Sequence, residues 1–110
     1  MTNGELEHFL DTGWWNTDTI IYYHDFVYML EGFVDGKNKM HVRISKWRAK
    51  NIDNKTFESI IGPDNDFVDF SEMEMEGPNE DALREKFLKA KIWDGKSFWE
   101  VEKELAWLDW

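Results

Sequence analysis

A chain of 110 residues with 23 acidic and 13 basic side chains carries a net charge of −10, and it contains no cysteine. The length suits one domain around a single core, spanning 1–110; the charge disfavours nucleic acid and anionic membranes as partners; the lack of cysteine excludes disulfides and thiolate metal sites and suits a reducing cytoplasm. Aromatic residues make up 16% of the chain, with 7 Trp and 8 Phe, so large rings can fill a core although the apolar content is only 42%.

The opening "MTNGELEHFLDTG" has neither the basic nor the apolar region of a secretory signal, and no apolar run approaches the ~20 residues that span a bilayer. "TNGE" instead predicts a helix start, with Thr2 as cap and Glu5 three residues on. Leu6, Phe9 and Leu10 fall on one face, and Thr12-Gly13 ends the helix. "GWWNTDTIIYYHD" follows as a loop or a short strand. "DFVYMLEGFVDGKNKMHVRISKW" reads as a hairpin. Its first arm has apolar residues on both faces, Phe26, Tyr28, Leu30 and Val34 on one and Val27, Met29 and Phe33 on the other, as a central strand does. Its second arm alternates Met40, Val42 and Ile44 with Lys39, His41 and Arg43, which places His41 on the outward side beside Arg43. Asp35-Gly36 is the turn signal; loops of two or four residues both fit, so the register stays open.

"KTFESIIG", residues 55–62, predicts a third strand, and "FVDFSEMEMEG", residues 67–77, a fourth. In the latter, Val68 and Phe70 share one parity and Met73 and Met75 the other, so one regular strand cannot bury all four on one face. Either a bulge near Ser71-Glu72 shifts the phase or two short strands meet there. Gly77-Pro78 begins a helix with Leu83, Phe87 and Ala90 inward, broken at Asp94-Gly95. Ser97 and Glu100 form a second capping box, and Phe98, Val101, Leu105 and Leu108 give a further helical stripe. The predicted class is α+β: an antiparallel sheet of about four strands with one N-terminal and two C-terminal helices packed on one face.

Catalytic signatures are absent from the pattern. His8, His24 and His41 form no metal-ligand pair. No GxSxG elbow supports Ser45, Ser59, Ser71 or Ser97 as a nucleophile. "DNDFVD" lacks the Gly and the distal Glu of a calcium loop, and "DGKS" lacks the upstream Gly of a phosphate loop. The expectation is a chain that is not an enzyme and holds no metal or cofactor.

Charge is segregated instead. Residues 37–57 hold seven bases and one acid, whereas residues 58–81 hold nine acids and no base. The basic block includes Trp47 and Phe57, a pattern compatible with single-stranded nucleic acid, but cross-strand pairing with neighbouring acids explains it more simply. The acidic block suits capture of a cationic partner, with Asp64, Asp66, Asp69, Glu72, Glu74 and Glu76 as the attracting carboxylates. Trp14, Trp15, Tyr23 and Trp110 are the candidate aromatic anchors, since Trp and Tyr often dominate interface energetics. Trp107 and Trp110, three apart, are placed on one helical face.

Small, acidic, cysteine-free, aromatic-rich α+β chains without catalytic residues resemble the immunity proteins of bacterial toxin systems, among them the colicin, contact-dependent inhibition and polymorphic toxin types. The resemblance covers the whole chain and rests on overall character, so it transfers no residue roles. It implies a non-catalytic cytoplasmic protein, monomeric or weakly dimeric, that binds and neutralises a cognate basic toxin, typically a nuclease. The alternatives are a nucleic-acid-mimicking inhibitor from a phage or mobile element, and a small-molecule-binding or enzymatic α+β domain with a pocket between sheet and helices.

Overall fold

The computed structural model describes residues 2–15, 19–48 and 68–109. Strands β1 (Thr19–Tyr23), β2 (Phe26–Val34), β3 (Met40–Arg48), β4 (Val68–Gly77) and β5 (Ala106–Asp109) form one sheet in the order β4-β3-β2-β1-β5, every neighbouring pair antiparallel. Among the described residues three helices accompany them, α1 (Asn3–Asp11), α2 (Glu80–Lys89) and α3 (Phe98–Val101). The α+β class is as the pattern predicts, with five strands rather than four. The strand expected over residues 55–62 lies outside the described residues.

Thr2 caps α1: its hydroxyl accepts from the Glu5 N–H at 3.2 Å, satisfying one of the donors that a helix start leaves unpaired. Phe9 turns into the core, with Leu6 and Leu10 partly buried beside it. The helix ends where the Thr12 N–H reaches the His8 carbonyl. A 3-10 turn, Gly13–Trp15, then drops Trp14 into the core and lays Trp15 across Gly32 of β2.

β1 and β2 join through a two-residue turn, His24-Asp25, with both residues in the left-handed region at φ 44° and 70°. Left-handed turns of this kind match the twist of the flanking strands. The Asp25 carboxylate and N–H both engage the Tyr22 hydroxyl, each at 3.1 Å. The β2–β3 connection turns over residues 36–38. The Asp35 N–H reaches the Lys39 carbonyl, and the Asn38 N–H reaches the Asp35 carbonyl. Asn38 supplies the left-handed residue of this turn, at φ 63°. β2 is central, as its two apolar faces imply. Tyr28 and Leu30 join the main core with Phe9, Leu83, Phe87 and Phe98 of the helices. Val27 joins Ile20 and Trp47 in a second buried cluster on the opposite face.

β4 does carry a bulge, at Asp69-Phe70, slightly before the expected Ser71-Glu72, but it does not bury all four apolar residues on one face, since Phe70 stays 52% exposed. Lys46 pairs with Ser71 and Arg48 with Val68, leaving two β4 residues opposite Trp47. Asp69 takes φ 57°, and beyond it Met73 and Met75 pair with Ile44 and Val42 on the core face.

At α2, Asn79 is the cap, accepting from the Ala82 N–H at 2.9 Å, so Pro78 precedes the helix rather than occupying its first turn. Leu83 and Phe87 bury its inner face. After the helix, Trp93 and Lys96 exchange two backbone hydrogen bonds across Asp94-Gly95. Glu100 accepts from the Ser97 N–H at 3.1 Å and starts α3.

The C-terminal helix is much shorter than expected. α3 stops at Val101, a 3-10 turn covers Glu102–Glu104, and residues 106–109 form β5. The stripe through Leu105 and Leu108 is therefore no helical face, and Trp107, paired with Ile21, enters the core from a strand. The edge of β1 explains the change. Ile20 and Ile21 are fully buried, and buried backbone groups beside them need partners that a helix over the same residues could not provide. No helix among the described residues is long and apolar enough to cross a membrane.

Candidate protein-binding face

The antiparallel register stacks charged residues in rows across the face opposite the helices. Glu76 lies across from His41 and then Phe33; Glu74 across from Arg43 and then Glu31; Glu72 across from Ser45 and then Met29. The alternation in β3 and the bulge in β4 together put these side chains on one side, since strand residues two apart share a face.

His41 is the centre of this face. Its Nε2 lies 2.7 Å from Asp35 Oδ2, and its Nδ1 lies 3.2 Å from Glu74 Oε2, with Glu76 Oε2 at 3.9 Å. The ring stacks on Phe33, centroids 4.8 Å apart and planes at 4°. The side chain is only 9% exposed. With carboxylates at both ring nitrogens the charged imidazolium is favoured. The Asp35 hydrogen bond holds its pKa above the usual histidine value against the opposing effect of burial, and Glu74 adds to the rise. Asp35 moves the other way. Its hydrogen bond to His41, then the Lys39 and Lys37 N–H groups at 3.0 and 2.7 Å, hold it below the usual carboxylate range.

Arg43 bridges more loosely, 3.8 Å from Glu72 and 3.7 Å from Glu74, with its guanidinium 5.3 Å from the Phe33 centroid. Arg48 Nε donates to Asp69 at 2.9 Å. These contacts leave the acids about half exposed: Asp69 56%, Glu72 49%, Glu74 46%, Glu76 56%. Among the described residues on this face, Glu31, Asp35, Glu72, Glu74 and Glu76 outnumber Arg43 and His41.

Four of the six predicted carboxylates, Asp69, Glu72, Glu74 and Glu76, thus line β4; Asp64 and Asp66 lie outside the described residues. The aromatic anchors fare differently. Trp14 and Tyr23 are 0% and 1% exposed and belong to the core, so they present no surface to a partner. Trp15 is half-buried over Gly32, and Trp110 lies outside the described residues. Among the described Phe, Tyr and Trp side chains, Phe70 at 52% and Trp99 at 55% are exposed, and Phe70 sits on β4 at the bulge. Sequence reasoning found the outward side of His41 but missed its carboxylate cage. The available signal was Asp35, six positions ahead and just beyond the end of β2.

Among the described residues no group of His, Asp and Glu is arranged to hold a metal ion. Among the described residues, a concavity of about 200 Å³ lies beside Met73, and an open cleft of about 340 Å³ at Lys39, Glu76, Pro78 and Lys86. Compared with known proteins, the chain matches no family model, no curated protein and no solved structure.

Proposed function

We propose that this chain is a small acidic binding protein of the immunity type, which captures a basic bacterial protein toxin in the cytoplasm and neutralises it by contact, without chemistry of its own. The observation that carries the reading is the row Glu72, Glu74 and Glu76 on β4, still half exposed after pairing with Arg43 and His41. Such a row speeds encounter with a cation-rich surface. Phe70 and Met73, exposed on the same strand, add apolar contact that slows release. The absence of cysteine and the net charge of −10 fit the same role.

The test is affinity capture from the native host with the wild-type protein and with the E72K/E74K variant, followed by association kinetics on the captured partner. The expected partner is basic, loses its toxic activity when mixed with the wild-type protein, and associates much more slowly with the variant at low salt than at high salt. A partner that is captured equally by both proteins, at every salt concentration, would overturn the reading.

A further inference from the structure

We propose that His41 is a proton-operated clasp on the acidic face: charged, it holds Glu74 against the molecule's own surface, and on losing its proton it frees Glu74 for a cationic partner. This rests on the acidic-face reading above and adds the regulation of that face.

An imidazolium has two N–H donors, a neutral imidazole one donor and one acceptor. His41 has a carboxylate at each ring nitrogen, Asp35 Oδ2 at 2.7 Å from Nε2 and Glu74 Oε2 at 3.2 Å from Nδ1. Both contacts are hydrogen bonds only while the ring is charged. Once neutral, the ring keeps one of them and turns a lone pair toward the other carboxylate.

The two carboxylates are not held alike. The turn fixes Asp35: its Oδ1 accepts from the Lys37 and Lys39 N–H groups at 2.7 and 3.0 Å, which leaves Oδ2 for Nε2. Glu74 is tethered by two side chains among the described residues, His41 and the Arg43 guanidinium 3.7 Å from its Oε1, and it is 46% exposed. The proton of the neutral ring therefore stays on Nε2, toward the nearer and better-fixed acceptor. Nδ1 then faces Glu74 as acceptor against acceptor. The ring is 9% exposed and stacked on Phe33, so the part that moves is the glutamate. It turns outward, and water or a partner's cation replaces the imidazolium.

The charged groups around the ring set the direction of the effect. The β2 side contributes Asp35, with Glu31 one row away; β4 contributes Glu74, and Glu76 at 3.9 Å from Nε2; along β3 stand Lys39 and Arg43. Of these side-chain types, histidine is the one that titrates near neutrality. The Asp35 hydrogen bond holds the His41 pKa above 6.5, so the clasp is closed in mild acid and opens as pH rises through the raised value. Opening removes a positive charge and presents a negative one, and both changes favour a cation. By linkage, a bound cation in turn lowers the His41 pKa.

The experiment uses the full chain and hexa-arginine, acetylated and amidated so that the probe has no group titrating near neutrality. Binding is measured at low ionic strength, roughly 20 mM, from about pH 6 to about pH 9, for the wild type, H41Q and E74Q. Ring nitrogen NMR of wild-type His41 identifies its neutral tautomer. The wild type should bind about two- to fivefold more tightly at the alkaline end. H41Q should bind with no such dependence, E74Q should lose most of it, and the neutral ring should carry its proton on Nε2. Wild-type binding that ignores pH, a pH dependence retained in full by E74Q, or a neutral ring protonated on Nδ1 would each overturn the clasp and leave the acidic face standing. No binding by the wild type at any pH would overturn the acidic face, and the clasp with it.

Discussion

Replacing Gly32 by Ala is a severe test of how Trp15 is held. Gly32 lies on β2 opposite Val42. A Cβ built there falls on the Trp15 carbonyl oxygen and lies 2.6 and 2.9 Å from ring atoms of the same residue. The ring could swing away; the carbonyl could not, because the 3-10 turn is tied back by the Trp15 N–H to Thr12 and by Trp14, fully buried next door. Adding a methyl to a packed site costs about 1–3 kcal/mol, and a backbone obstacle places this one near ~3 kcal/mol. At about 4–5 °C per kcal/mol for a chain of this size, the midpoint should fall by roughly 12–15 °C. An unobstructed strand glycine would respond in the opposite sense, gaining ~0.5–1 kcal/mol on becoming Ala. Thermal and urea unfolding followed by circular dichroism reads the difference. In a W15A background the ring clash disappears but the carbonyl clash remains, so a substantial part of the loss should persist. A neutral or stabilising G32A would mean that Trp15 is not seated on β2, and would return it to the set of rings available to a partner.

The His41–Asp35 pair makes stability depend on pH in a defined window. Asp35, lowered from 3.8, contributes fully above that value and loses its contribution as pH falls through its folded pKa; His41, raised from 6.5, contributes fully below that value and loses its contribution as pH rises through its folded pKa. The pair therefore contributes most between 3.8 and 6.5, and H41Q should flatten the stability profile on either side. An NMR titration of His41 with a midpoint at or below 6.5 would contradict the cage. Asn79→Ala should cost ~1 kcal/mol by removing the α2 cap, whereas Asn79→Asp retains it; equal midpoints in urea for both would exclude the cap as a contributor. Tyr28, buried and facing the Asp94 carboxylate and the Tyr23 phenol, is pushed up to about 12, so its absorbance at alkaline pH should rise later than that of an ordinary tyrosine. A phenol of normal value in Y22F/Y23F, which leaves Tyr28 alone, would show that burial is incomplete.

Where local chemistry decided the structure, the sequence was readable. Thr2 and Glu5 marked α1, and the change of parity along β4 pointed to an irregularity, which is present at Asp69-Phe70 although Phe70 itself stays exposed. Where a distant edge decided it, the reading failed. Ser97 and Glu100 do start a helix, but the spacing of Phe98, Val101 and Leu105 serves a helical turn followed by a strand equally well. Only the open side of β1, far away in the chain, requires the strand. The adjacent rings followed the same logic. Tyr22 and Tyr23 do point to opposite faces, but both faces of β1 carry buried clusters, so facing away from one core did not mean facing solvent. The carboxylates of β4 were found because alternation alone places them. The Asp35–His41 contact was not, because it depends on the turn geometry that Asn38 sets.

The strand order has a consequence for how the molecule assembles. β1, β2 and β3 are joined by tight turns and each lies beside its neighbour in the chain, so they can zip together with little loop entropy lost. β5 must find β1 from the other end of the polypeptide, Trp107 docking beside Ile21. On loop entropy this seam is expected to close late on the pathway, so that weakening it should speed the departure from the native state and leave the rate of arrival nearly unchanged.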